Sequence, residues 1–174
     1  LSLPADFKRP LVQCFEGDRI LFRIDADLSS RLNELAQANG CTIYMLLLAA
    51  YNILLSKYSG QEDVVVGTPV AGRSHADTWN IMGMFVNTLA LRNYPRQEMS
   101  VKVFIEDLRE NCIHAFENQD YQFEQLVEKL AIKRDTGRNP LFDTMFSFRK
   151  VDGQVIEKAD LKLHLEELEF KTSK

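Results

Sequence analysis

The sequence predicts an α/β domain, a two-layer α+β sandwich in which helices pack on one face of a mixed sheet. Three observations lead there. The 174 residues are 45% hydrophobic and 26% charged, ample for one packed core and too apolar for disorder at a formal net charge of −4. Segments that alternate with period two are interleaved with segments at helical spacing. The most apolar stretch, Cys41 to Leu55, carries Asn52 and falls short of the roughly 20 residues a membrane span needs, so it reads as a buried helix.

Taken in order, residues 1–18 are irregular, with Pro4, Pro10 and Gly17. Ile20, Phe22 and Ile24 alternate with Arg19, Leu21 and Arg23, which predicts a strand with one buried face. Ser29 or Ser30 is expected to cap a short helix through Ala38, with Leu32, Leu35 and Ala36 inward and Gly40 past its end. Thr42 begins the long apolar helix, which stops near Ser59-Gly60. Val64-Val65-Val66 predicts a short central strand running into a turn at Gly67-Thr68-Pro69. Residues 71–80 are polar and read as a loop. Met84 to Asn93 predicts a second strand, with Phe85, Asn87, Leu89 and Leu91 on one side.

Ser100 is a good N-cap for a helix whose stripe is Val101, Phe104, Ile105, Leu108, Cys112, Ala115 and Phe116. A short helix is expected over Phe123 to Ala131. Leu141 to Phe148 and Asp160 to Glu166 both alternate and predict two further strands. The chain shows no internal repeat, low-complexity segment or interior linker, so 1–174 is expected to be a single domain.

Charge and composition exclude several function classes. The acidic balance and lack of a basic block argue against nucleic acid, and no segment suits a membrane. Cys14, Cys41 and Cys112 form neither a disulfide framework nor a zinc spacing, which favours a reducing, cytoplasmic compartment. The chain opens on Leu1 with no signal pattern and is expected to be cut from a longer polypeptide.

The chemistry is equally restricted. Ser74, His75 and Asp77 lie within four residues, whereas a relay needs members converging from separate elements. His114 lies off its helix's apolar stripe, and His164 shares a strand face with Lys162 and Glu166, so both read as solvated. No His or Cys pair has metal-ligand spacing, and no glycine pattern suits a phosphate. No self-contained catalytic constellation results. Asn87 stands out: an amide sharing a face with Phe85 and Leu89 needs partners, whether neighbouring backbone or something functional. Arg134-Asp135 with Arg138-Asn139-Pro140 reads as an ionic turn, and Asn118-Gln119-Asp120 followed by Phe123-Glu124 as a helix–helix corner, unless either serves a site.

Three segments together carry a resemblance. Gly83-Met84-Phe85-Val86-Asn87-Thr88, continuing to Arg92, resembles the Gly-x-Phe-Val-Asn-Thr…Arg signature of condensation domains from nonribosomal peptide synthetases. Gln119-Asp120-Tyr121-Gln122-Phe123-Glu124 resembles that family's Gln-Asp-x-Pro-Phe-Glu, with Gln122 in place of proline. Arg134-Asp135-Thr136-Gly137-Arg138-Asn139-Pro140-Leu141 resembles Arg-Asp-x-Ser-Arg-Asn-Pro-Leu, with Gly137 in place of serine. Val66 to Arg73 is similar to another stretch common in the family.

The resemblance implies one lobe of a chloramphenicol acetyltransferase-like fold, in which two lobes form a V around a tunnel. Peptidyl carrier proteins approach its two mouths, each presenting substrate on a phosphopantetheine arm, and an acceptor amine attacks a donor thioester. The family's His-His-x-x-x-Asp-Gly motif is absent from this sequence. The chain therefore resembles a C-terminal lobe truncated at both ends, with no catalytic residue, metal or cofactor of its own, and is expected to be inactive alone. By motif, Gly83, Phe85, Asn87 and Thr88 would line the tunnel. Arg73, Arg92, Gln119, Asp120, Arg134, Asp135, Arg138 and Asn139 would hold elements together. The implied partners are the N-terminal lobe, carrier proteins and an adjacent adenylation domain. A second copy is also expected to bind the face the first lobe would cover. Epimerisation or heterocyclisation domains of the same superfamily, and a non-catalytic docking platform, are the competing implications.

Overall fold

The computed structural model describes residues 1–14, 16–132 and 135–149. The described residues form four α-helices, one 3-10 turn (Ala76–Thr78) and a small sheet: α1 (Ala26–Ala38), α2 (Ile43–Ser59), β1 (Val64–Val70), β2 (Asn87–Asn93), α3 (Val101–Glu117) and α4 (Phe123–Lys129). β1 and β2 are antiparallel, in a register that sets Val64 opposite Asn93 and Val70 opposite Asn87. On the other side of β1, Gly67 forms an isolated parallel bridge with Met145, so among the described residues the sheet is a two-stranded antiparallel pair rather than the expected mixed sheet.

Local chemistry sets the helix ends. Thr42 caps α2 by accepting the Met45 amide, and Gly60 ends it in the left-handed conformation, φ 68°. Ser100 caps α3 through the Val103 amide. α1 starts earlier than expected, because the Asp25 carboxylate, rather than Ser29 or Ser30, accepts the Leu28 amide at 2.7 Å. Of its expected inward residues Ala36 is buried, whereas Leu35 is exposed.

The core joins the inner sides of these elements. Leu48 and Ala49 of α2 and Phe104, Ile105, Leu108 and Cys112 of α3 pack with Val64, Val66, Leu89 and Leu91 of the sheet. A second contact fastens the 144–146 segment. The Tyr44 hydroxyl donates to Thr68 Oγ1, which donates to the Phe146 carbonyl, both at 2.9 Å. Tyr44 and Tyr51 both lie against the Phe146 ring.

Four further expectations change. Residues 19–25 form no strand: Ile20 is 90% and Phe22 82% exposed, and no described strand lies beside them to satisfy their backbone. β1 does not turn at Gly67-Thr68-Pro69 but continues to Val70. Gly67 N–H points to Thr144, so the missing N–H of Pro69, two residues on, falls on that same side and costs β2 no hydrogen bond. β2 begins at Asn87 rather than Met84, because β1 ends opposite it and the chain turns away at Gly72, φ 63°. Leu141 to Phe148 forms a single bridge at Met145 rather than a strand. The strand expected over Asp160 to Glu166, with His164, lies outside the described residues.

Candidate functional site

Two of the segments singled out by motif, 83–88 and 119–124, meet at the start of β2. Asn87, 5% exposed, sits where the strand meets the corner between α3 and α4. Its Nδ2 donates to the carbonyls of Gln119 (2.7 Å) and Tyr121 (2.9 Å). Its Oδ1 accepts the amides of Thr88 (2.8 Å) and Phe123 (3.3 Å). A carboxamide has two donors and two lone pairs, so backbone takes up its full capacity. Thr88, the next residue, pairs with Pro69 across the sheet.

Upstream of Asn87, the chain from Ala71 to Val86 forms a loop with a narrow neck. Gly72 is left-handed, and a Cβ there would collide with the Phe85 carbonyl. The Arg73 guanidinium lies 4.4 Å from the Phe85 ring centroid, which suits a cation–π contact. It also donates to the carbonyls of Gly83 (3.0 Å) and Thr78. Trp79 Nε1 donates back to the Arg73 carbonyl at 3.2 Å. Beyond the neck the loop turns apolar side chains outward: Trp79, Ile81, Met82, Met84 and Val86 are all exposed.

The structure brings a further residue to this place. Ser74 Oγ donates to Asp120 Oδ1 at 2.9 Å, linking the loop to the α3–α4 corner. His75 pairs instead with the exposed Asp77, so Ser74 and His75 form no relay. Gln119 Nε2 turns back to the Phe116 carbonyl at 2.9 Å. Gly72 was marked only as part of the Val66–Arg73 stretch, Ser74 only beside His75 and Asp77, and Trp79 only by lying in a polar loop.

Other motif residues lie away from this junction. Arg92 binds Asp63 through two hydrogen bonds of 2.9 and 2.6 Å on the exposed side of the sheet. Those bonds hold the Asp63 carboxyl below its ordinary value, against a smaller effect of burial. The pair borders a cavity of about 580 Å³ with Val65, Ala90 and Leu126 in its walls. Arg138 grips Asp143 through bonds of 2.9 and 2.7 Å and also reaches the Leu1 carbonyl. Burial pushes the Asp143 carboxyl up, but the net direction is down, with the hydrogen bonds and charge of Arg138 holding it low.

Asp135 accepts the Gly137 amide at 2.8 Å, and Asn139 accepts those of Leu141 and Phe142. This turn holds the strap of residues 9–13: Thr136 Oγ1 donates to the Leu11 carbonyl, and the Gln13 amide to the Thr136 carbonyl. Gly137 passes so near the Pro10 carbonyl that a Cβ would lie 2.8 Å from it. Arg134 lies outside the described residues. Among the described residues no cluster of three His, Cys, Asp or Glu could hold a metal ion, and no single helix is long and apolar enough to cross a membrane.

Comparison with known proteins agrees with this arrangement of motifs. The family model described as "Condensation domain" matches residues 1–174. Tyrocidine synthase 3 of Brevibacillus parabrevis is 58% identical over 163 residues, which cover 94% of this chain and 2% of that protein. Surfactin synthase subunit 1 of Bacillus subtilis (strain 168) is 51% identical over 174 residues, all of this chain and 5% of that one. The chain thus spans only a few per cent of these relatives' length. Among solved structures, a holo four-domain nonribosomal peptide synthetase bound to AMP and glycine superposes with a TM-score of 0.84 at 32% identity, covering 87% of this chain and 12% of that one. The X-domain from teicoplanin biosynthesis gives 0.77 at 25% identity, covering 83% and 32%. This chain belongs to the condensation-domain family of nonribosomal peptide synthetases.

Proposed function

We propose that these 174 residues are the C-terminal lobe of a condensation domain that joins carrier-bound aminoacyl or peptidyl thioesters through a peptide bond. The observation that supports this most is the meeting of two family motifs at one place, with Asn87 of the first fully bonded to the Gln119–Phe123 corner of the second. The reaction needs an amine and a thioester carbon held together, and such positioning can supply about 7–11 kcal/mol of barrier lowering. The lobe's part is that positioning. The 174 residues contain three histidines, none adjacent to another, so the paired histidines of the family motif would come from the N-terminal lobe.

Partners follow from the same reading. Peptidyl carrier proteins would deliver substrates on phosphopantetheine arms, beside an adenylation domain in a cytoplasmic multidomain synthetase. The N-terminal lobe would cover the outward apolar side chains at Ile20, Phe22, Met82 and Met84, since exposed apolar patches mark contact surfaces. Without that lobe, a second copy would occupy the surface, and sedimentation of the chain alone should show self-association.

The test is to load donor and acceptor carriers with distinct aminoacyl groups, add the whole domain that contains this chain, and analyse the acceptor by mass spectrometry. A dipeptidyl thioester with unchanged stereochemistry is expected. Inverted stereochemistry without bond formation would assign epimerisation, a heterocycle would assign cyclisation, and no reaction with either carrier pair would leave only docking.

A further inference from the structure

We infer that Asp120 is a positioning residue: through Ser74 it tethers the upstream end of the apolar loop 71–86 to the α3–α4 corner. The downstream end of that loop is Asn87, whose carboxamide is bonded to the same corner at Gln119, Tyr121 and Phe123. The Ser74–Asp120 bond of 2.9 Å spans 46 residues of sequence. Both sides of the loop therefore bond to one short stretch of chain, Asn87 to its backbone and Ser74 to the Asp120 side chain.

The two attachments differ in strength. Asn87 is buried and makes four bonds, so its end is fixed. Ser74 and Asp120 are exposed and share one bond, so this contact can release while Val70 stays paired with Asn87 in the sheet and the corner stays folded. Between them, Arg73 closes the neck on Phe85 and on the Gly83 and Thr78 carbonyls. A loop closed at its neck moves as a body, so the single tether sets the direction in which Trp79 and Met82 point.

The inference rests on the peptide-forming reading only for its effect on turnover, because the tether can be measured without substrate. Hydrogen exchange, resolved by residue, is compared for wild type, Ser74→Ala, Asp120→Ala, the double variant and Asp120→Asn. Asparagine keeps an oxygen that can accept the Ser74 hydroxyl. Loss of the tether should raise exchange across residues 75–86 about fivefold, the population change expected for one hydrogen bond. Either single variant should give the full effect, the double variant no more, and Asp120→Asn close to none. Emission of Trp79, the chain's only tryptophan, should report the same order of variants.

In the whole domain, dipeptide formation should fall with Asp120→Ala and recover with Asp120→Asn. Unchanged loop exchange in both alanine variants, additive effects in the double variant, or an Asp120→Asn variant as loose as Asp120→Ala would overturn the tether. Altered exchange with unaltered dipeptide formation would keep the tether and remove its role in turnover.

Discussion

The side-chain amide of Asn87 lies 2.7 Å from the carbonyl oxygen of Gln119, joining the first residue of β2 to the corner that follows α3. The Gln119 and Tyr121 carbonyls and the Phe123 amide take Asn87 as a partner, in addition to the local bonds by which Gln119 and Tyr121 turn the corner. A buried amide with complete partners rigidifies its surroundings, whereas the same groups left unpaired are costly.

Replacing Asn87 should therefore affect stability. Asn87→Ala leaves two carbonyls and two amides without this partner, and is expected to cost about 2–3 kcal/mol. Asn87→Asp should be at least as damaging, since a carboxylate would face the Gln119 and Tyr121 carbonyls. Urea denaturation of the chain checks both, and an Asn87→Ala loss below about 0.5 kcal/mol would show that the clasp carries little of the fold.

Gly72 tests the neck of the loop. At φ 63° any side chain is strained, and its Cβ would meet the Phe85 carbonyl. Gly72→Ala should open the neck, shift Trp79 emission and lower stability by about 1–3 kcal/mol. Unchanged emission would mean that the loop re-forms around the extra carbon.

Acid should weaken the fold in a definite direction. The Asp63 and Asp143 carboxyls are both held below their ordinary value of 3.8. For a depressed carboxyl, the added stability is present above the unfolded value and is lost as pH falls through the lower folded one. Asp143, largely buried against Arg138, should matter more than Asp63, whose exposed pair with Arg92 is screened by solvent. Thermal melts should show Asp143→Asn less stable than wild type at neutral pH, with the two curves converging below 3.8. A constant gap across that range would rule out the carboxylate as the cause.

Two of the three cysteines should separate by reactivity. Cys14 is exposed, whereas burial pushes the Cys112 thiol up to about 11. Because the thiolate is the reacting species, iodoacetamide at neutral pH should label Cys14 readily and Cys112 only when the chain unfolds. Rapid labelling of Cys112 in the folded chain would contradict its place in the core.

Most of the framework was readable because local signals and packing agree. Thr42 and Ser100 mark helix starts by their hydroxyls, Gly60 marks an end by its φ, and the stripe from Phe104 to Cys112 falls on one helix face. The failures share a different cause. Ile20, Phe22 and Ile24 alternate like a strand, but a strand needs a partner edge, which the described residues do not provide. Met84 and Val86 continue the alternation of β2, but β1 has already turned at Gly72. Asn87 was visible as a polar residue in an apolar pattern, while its partners were not, since four bonds to backbone leave no mark on residue identity. Ser74–Asp120 was illegible for a related reason: each residue suits an exposed loop by itself.

The decisive measurement concerns the division of labour between positioning and proton transfer. The 174-residue chain and the whole domain containing it are each incubated with loaded donor and acceptor carriers, and the acceptor thioester is weighed by mass spectrometry. Dipeptide should form with the whole domain and stay at the no-protein background with the chain alone. Dipeptide formed by the chain alone would mean that these residues hold their own catalytic group, contradicting a role confined to shaping and holding the site.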